Sequence, residues 1–140
     1  MNMNYLIYVS SSSRMLTADD LKKMLVDIRY KYINSGITGM MLYSEGTFFQ
    51  ALEGEEEDLE KVFENLQMDN MQKGVIRLKS GTEDRRTFVD WSMGFKPNPD
   101  DSSNINGFVN PLRYDFLTGH DQKHPAVSLL KSFAQHNLQY

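Results

Sequence analysis

Apolar residues along this chain change period in a fixed order, and that order leaves few folds open. Residues 4–10, NYLIYVS, have the alternation and the Tyr, Ile and Val content of a short strand. A serine loop, SSSSR, follows. Thr17 then opens a helix as its N-cap, with Asp19 and Asp20 favourably placed in the first turn. Leu21, Met24, Leu25, Ile28 and Tyr32 recur at helical spacing and give that helix one core face, with Gly36 expected to end it. Two strands come next, ITGMMLYS (37–44) and TFFQALE (47–53), joined by a tight turn at Glu45-Gly46. A second helix starts in the acidic run Glu53–Asp58 and places Leu59, Val62, Phe63 and Leu66 on one side. Strands are expected over 75–81 and across 86–95. The order β-α-β-β-α-β, plus one extra strand, predicts an α+β, ferredoxin-like fold: an antiparallel-rich sheet with both helices on one face.

Beyond Phe95, KPNPDDSSNINGF reads as a polar linker, and PAVSLLKSFAQHN, from Pro125, as a terminal helix with Pro at its first position. Ala126, Leu129, Leu130 and Phe133 share one side of it. Two parts are therefore expected, a domain over 1–96 and a linker with a C-terminal helical extension over 97–140. An apolar helix face needs a cover, either the free face of its own sheet or another subunit of a homo-oligomer.

Composition narrows the function classes. With a net charge of -4 over 140 residues and no basic cluster, a nucleic-acid partner is not expected. The absence of Cys excludes disulfides and thiolate metal sites. His120, His124 and His136 have no carboxylate at ligand spacing, so no metal site is expected. No apolar run approaches the ~18 residues of a membrane span, and the N-terminus lacks the features of a signal peptide. A soluble cytoplasmic protein is the expectation. No phosphate-binding loop or nucleophile elbow is present, so nothing argues for an enzyme. The acidic residues Glu53–Asp58 read as a solvated helix start.

Gln50 breaks this ordinary pattern. On its strand it shares a face with Phe48 and Leu52, which would bury a carboxamide with two donors and two acceptor lone pairs. An unmatched group there costs roughly 1–3 kcal/mol. Tyr8 shares a face with Leu6 and Ser10, and its buried hydroxyl also needs a partner. One reading is a core Tyr–Gln pair. The other is a recognition site for a planar heteroaromatic ligand, with Gln50 holding Tyr8 at one end and the ligand at the other. Trp91 and Met93 share a parity on the last strand and could reach the same cavity.

LIYVS (6–10), GITGMMLY (36–43), GTFFQALEGE (46–55) and RRTFVDWSMGF (85–95) together resemble the BLUF domain, a blue-light sensor that binds FAD, over residues 4–96. The resemblance implies an isoalloxazine ring lying between the two helices against the sheet. It makes Tyr8 the photoactive tyrosine, Gln50 the switching glutamine, and Trp91 and Met93 the output residues. Met24 and Leu66 fit the apolar positions that sandwich the ring. Light-excited flavin would take an electron and then a proton from Tyr8, leaving Gln50 rotated or tautomerised. The signal would pass to the Trp91–Met93 strand and the tail. The resemblance is to short members without an attached catalytic domain, so the expected output is a change of assembly or the binding of a downstream signalling protein.

The sequence departs from that family at several flavin anchors. The usual Asn-Asn pair reads Lys31-Tyr32, and Asn34 is about 200° further around a helix. The usual Arg and Arg-His positions read Asn65, Met71 and Gln72, leaving Lys31 and Lys73 as the nearest cations. Two lost polar contacts at roughly 1–1.5 kcal/mol each would weaken FAD binding about ten- to a hundredfold. The alternative expectation is a flavin-free BLUF-like module for protein interaction.

Overall fold

The computed structural model describes residues 3–32, 34–68, 71–96, 106–113 and 115–138. In chain order its elements are β1 (Met3–Ser12), α1 (Ala18–Lys31), β2 (Thr38–Ser44), β3 (Thr47–Gly54), α2 (Glu56–Gln67), β4 (Gln72–Glu83), β5 (Trp91–Gly94), β6 (Phe108–Val109) and α3 (Pro125–Asn137). The strands form one six-stranded sheet in the order β4-β1-β3-β2-β5-β6. β1 pairs antiparallel with β3 and β4, and β2 antiparallel with β3. β5 adds parallel to β2, and β6 parallel to β5. This is the ferredoxin-like arrangement, extended at one edge. Glu45 and Gly46 turn the β2–β3 hairpin with φ of 44° and 89°, the left-handed pair that a two-residue turn requires.

Several boundaries differ from the sequence reading, each for a local reason. β1 runs through Ser12, because Ser11 and Ser12 pair with Lys73 and Gln72 of β4. Most of the serines expected in a loop are therefore strand. α1 ends at Lys31 with Tyr32 as its C-cap, and Gly36, with φ 77°, belongs to the turn beyond. The strand expected over 75–81 is the longer β4. The strand expected across 86–95 shrinks to Trp91–Gly94. Its first residues are held instead by a side chain: the Glu53 carboxylate accepts the Thr87 N–H at 3.0 Å and the Phe88 N–H at 2.6 Å. Most of the expected linker lies outside the described residues.

Glu53 also corrects the reading of the acidic run as solvated, for its carboxylate is fully buried at the end of β3. His124 Nε2 lies 3.5 Å from it, and His124 is itself buried. The other ring nitrogen, Nδ1, accepts the Ala126 N–H at 3.0 Å and so caps α3. An accepting Nδ1 carries no proton, which puts the proton of the neutral ring on Nε2, facing Glu53.

The sheet is covered on both faces. Leu59, Val62 and Phe63 of α2 pack on Leu6, Tyr8 and Leu52, while Leu21 and Leu25 of α1 pack on Met41, Phe48 and Met93. On the opposite face, Ala126, Val127, Leu130 and Ala134 of α3 pack on Ile7, Met40, Leu42, Phe49 and Ala51. Phe133 stacks on Phe49 at 5.3 Å. Of the two covers open to the apolar side of that helix, its own sheet is the one it takes. Among the described residues, no helix is long and apolar enough to cross a membrane.

Candidate functional site

Tyr8 and Gln50 are directly opposed in the β1–β3 register, so both side chains rise from the same face of the sheet. Above them is a cavity of about 480 Å³. Met24 and Ile28 of α1 form one wall and Val62 and Leu66 of α2 another, with Tyr8 and Gln50 also in the lining. The Tyr8 ring is fixed edge-on against Phe63, with centroids 5.8 Å apart.

The buried carboxamide of Gln50 is matched at both ends. Its Oε1 accepts the Tyr8 hydroxyl at 2.7 Å, and its Nε2 donates to Gln72 Oε1 at 3.1 Å. Gln72 Oε1 also accepts the Ser10 hydroxyl at 2.6 Å. All four residues are buried. Gln72 is the functional candidate that sequence reasoning missed. The sequence places it three residues before the strand expected over 75–81, at the position of a missing flavin anchor, whereas it is the first residue of β4 and faces inward. A signal was present in Ser10, a second polar residue on the Tyr8 face that also required a partner.

The other expected site residues divide. Met24, Lys31, Tyr32, Leu66 and Trp91 line the cavity together with Tyr8 and Gln50. Tyr32 lies flat on Trp91, with ring centroids 5.5 Å apart and 27° between planes, and Lys31 Nζ is 5.4 Å from the Tyr32 ring. Lys73 does not line the cavity: strand alternation points it away because Gln72 points in, and it is exposed. Met93 does not line it either. Although it shares the parity of Trp91, it lies further along β5, buried beneath Leu21 and Leu25 of α1. Asn34 borders a separate shallow depression beside Tyr30.

The cations lining the cavity are Arg14, Lys23 and Lys31, of which the first two were not anticipated. Arg14 pairs with Asp20 at 3.0 Å. That hydrogen bond, then the Thr17 N–H, holds the Asp20 carboxyl down at about 2. Trp91 is positioned by Arg29, whose guanidinium donates to the Trp91 carbonyl and pairs with Asp90 at 2.9 Å. The indole Nε1 of Trp91 is buried with no hydrogen-bond partner among the described residues.

Residues 3–94 match the family model for BLUF, sensors of blue-light using FAD. The chain belongs to the BLUF family. The photoactivated adenylate cyclase subunit beta of Euglena gracilis is 32% identical over 96 residues, 66% of this chain but 11% of that protein. The chain thus spans about a tenth of the curated relative it matches. Among solved structures, the BLUF domain of BlrP1 is 32% identical, with a TM-score of 0.60 over 68% of this chain and 64% of that one. BlsA in its photo-activated state is 27% identical, with a TM-score of 0.63 over 99% of this chain and 95% of that one. The cavity suits a flavin chemically. Apolar walls on two helices fit the faces of a planar ring, while the amide of Gln50 at its base fits the ring's polar edge.

Proposed function

We propose that this chain is a blue-light sensor that binds FAD in the cavity between α1 and α2. One observation carries the reading: Gln50 lies at the base of that cavity with its two chemically different ends committed to two different partners. When bound, the flavin supplies blue-light absorption and takes up an electron and a proton. Tyr8 is the donor of this chain, and its 2.7 Å hydrogen bond sets the direction in which its proton points. Gln50 Nε2 carries a second proton that a ring carbonyl can accept. Reversing the Gln50 side chain exchanges donor for acceptor at both of its neighbours, which records illumination without turnover. Met24, Ile28, Val62 and Leu66 hold the ring by its faces and exclude water. Lys31, Lys23 and Arg14 are the cations available to the phosphates. Trp91, stacked on Tyr32, is the cavity wall from which a change passes to β5, and Met93 carries it beneath α1. The output is a change in self-assembly or the binding of a downstream signalling protein.

The test is to incubate purified protein with FAD, and in parallel with FMN, the flavin in one solved structure of Klebsiella pneumoniae BlrP1. After removal of excess flavin, absorbance spectra are recorded before and after blue light. Retained flavin with a reversible red shift is expected. Tyr8→Phe and Gln50→Leu should keep the flavin and lose the shift, and a normal shift in either variant would remove its residue from the mechanism. A second reading, a flavin-free interaction module, is favoured by Lys31-Tyr32 standing where the flavin-contacting Asn pair is expected. It replaces the first if neither flavin is retained at saturating concentration.

A further inference from the structure

Gln72 Oε1 receives two hydrogen bonds, from the Gln50 amide at 3.1 Å and the Ser10 hydroxyl at 2.6 Å. At the other end of the chain, Gln50 Oε1 receives the Tyr8 hydroxyl at 2.7 Å. The two outer members are hydroxyls, which can donate or accept. The two inner members are carboxamides, each with an oxygen that only accepts and a nitrogen that only donates. If Gln50 reverses alone, its oxygen faces the oxygen of Gln72, and two acceptors meet with no proton between them. All four residues are buried, so with flavin filling the cavity the loss is not repaired by bulk water. If Gln72 reverses as well, its nitrogen donates to Gln50 Oε1 and to Ser10 Oγ, while Gln50 Nε2 donates to the Tyr8 oxygen. Every bond is then kept with its polarity inverted.

We infer that Gln72 is a second switching amide: in this chain Gln50 and Gln72 reverse together, with the Tyr8 and Ser10 hydroxyls as the reversible ends. Gln72 acts through Gln50 and is a positioning residue. The pair also gives the switch an exit other than β5, because Gln72 opens the edge strand β4 and its backbone pairs with Ser12 of β1. The inference deepens the blue-light reading and rests on it for the trigger, while the hydrogen-bonded pair itself exists without flavin.

Two measurements test it. In flavin-free protein labelled with nitrogen-15 and carbon-13, scalar coupling across the hydrogen bond should connect Gln50 Nε2 to the Gln72 side-chain carbonyl carbon. Its absence, with the Gln72 amide protons exchanging as fast as those of an exposed glutamine, overturns the pair whatever the protein does with light. In flavin-loaded protein carrying side-chain carbonyl-labelled glutamine, the light-minus-dark infrared difference should contain two shifting carboxamide bands. Gln72→Met, of similar length but unable to form either bond, should lose one of them. A single band in wild type overturns the concerted reversal while leaving the blue-light reading intact. A wild type that retains flavin but shows no visible red shift sinks the blue-light reading, and with it the light-driven reversal, while the coupling measurement still decides the pair.

Discussion

Tyr32 joins two features of the cavity, forming part of its wall while its ring lies 5.5 Å from that of Trp91. An asparagine there would be smaller and would offer a paired donor and acceptor to a flavin edge. Tyr32→Asn should therefore raise the flavin-to-protein absorbance ratio and tighten FAD binding about tenfold, the equivalent of one polar contact. It should also cost about 1 kcal/mol of stability through the lost stack. Arg in place of Met71, another lining residue, should add to retention by supplying a charge for the phosphates. If wild-type protein is already saturated and Tyr32→Asn changes nothing, the ring is no obstacle. Glu53 makes the opposite case, a residue outside the cavity lining whose loss should be felt in the fold. Its buried carboxylate holds the Thr87 and Phe88 amides at 3.0 and 2.6 Å. Glu53→Ala strands both, at roughly 1.5–3 kcal/mol for each bond to a charged group. Urea unfolding should show a loss of about 3 kcal/mol or more, with Glu53→Gln, which keeps one acceptor oxygen, losing less.

At the level of elements, α1 depends on a capping box in which Thr17 accepts the Asp20 N–H at 3.1 Å and Asp20 accepts the Thr17 N–H at 2.9 Å. Thr17→Ala should cost about 1 kcal/mol, read as a lower urea midpoint. Because the folded-state carboxyl of Asp20 is held at about 2, against an ordinary 3.8, its contribution is complete above pH 3.8 and fades as pH falls towards 2. Asp20→Asn should flatten the stability profile in that window, and an unchanged acid limb would remove the bonds from Arg14 and the Thr17 N–H as the source of that stability. The cap at Thr17 and the favourable place of Asp20 in the first turn were legible in the sequence because capping is local; their reciprocal bonding is what the structure adds. The Tyr8–Gln50 pair was legible as one of two readings, since Gln50 breaks the alternation of its strand and the buried hydroxyl of Tyr8 needs a partner. Gln72 was not legible, because its inward direction depends on β4 starting earlier than its apolar residues suggest. The extension of β1 through Ser11 and Ser12 has the same origin, pairing with a distant strand overriding the turn preference of serine. Likewise the shortening of the strand before Trp91 reflects a carboxylate more than thirty residues upstream, and no local period encodes that.

Across the whole molecule, the sheet works as a partition between the cavity under α1 and α2 and the layer formed by α3. Alternation along β3 puts Gln50 under the cavity and its neighbours Phe49 and Ala51 against α3, so the two faces are one residue apart. The α3 layer is also structural. Ala126, Val127, Leu130 and Ala134 are all fully buried on Ile7, Met40, Leu42, Phe49 and Ala51. Leu130→Ala should cost about 2–5 kcal/mol, as for other fully buried leucines. Deleting residues 98–140 removes the whole layer and leaves that apolar sheet face in water. A bare face of this kind recruits a second copy or aggregates. The truncated protein should therefore elute as larger species in size-exclusion chromatography, bind a hydrophobic dye, and unfold at lower urea than the full chain. His124→Ala perturbs the same layer while leaving the apolar side of the helix in place, and it should cost more than the ~1 kcal/mol of the α3 cap alone, because the buried ring that faces Glu53 goes with it. If the truncation stays monomeric and as stable as the full chain, α3 is an appendage, and a signal from Gln50 must leave through β5 or β4 instead.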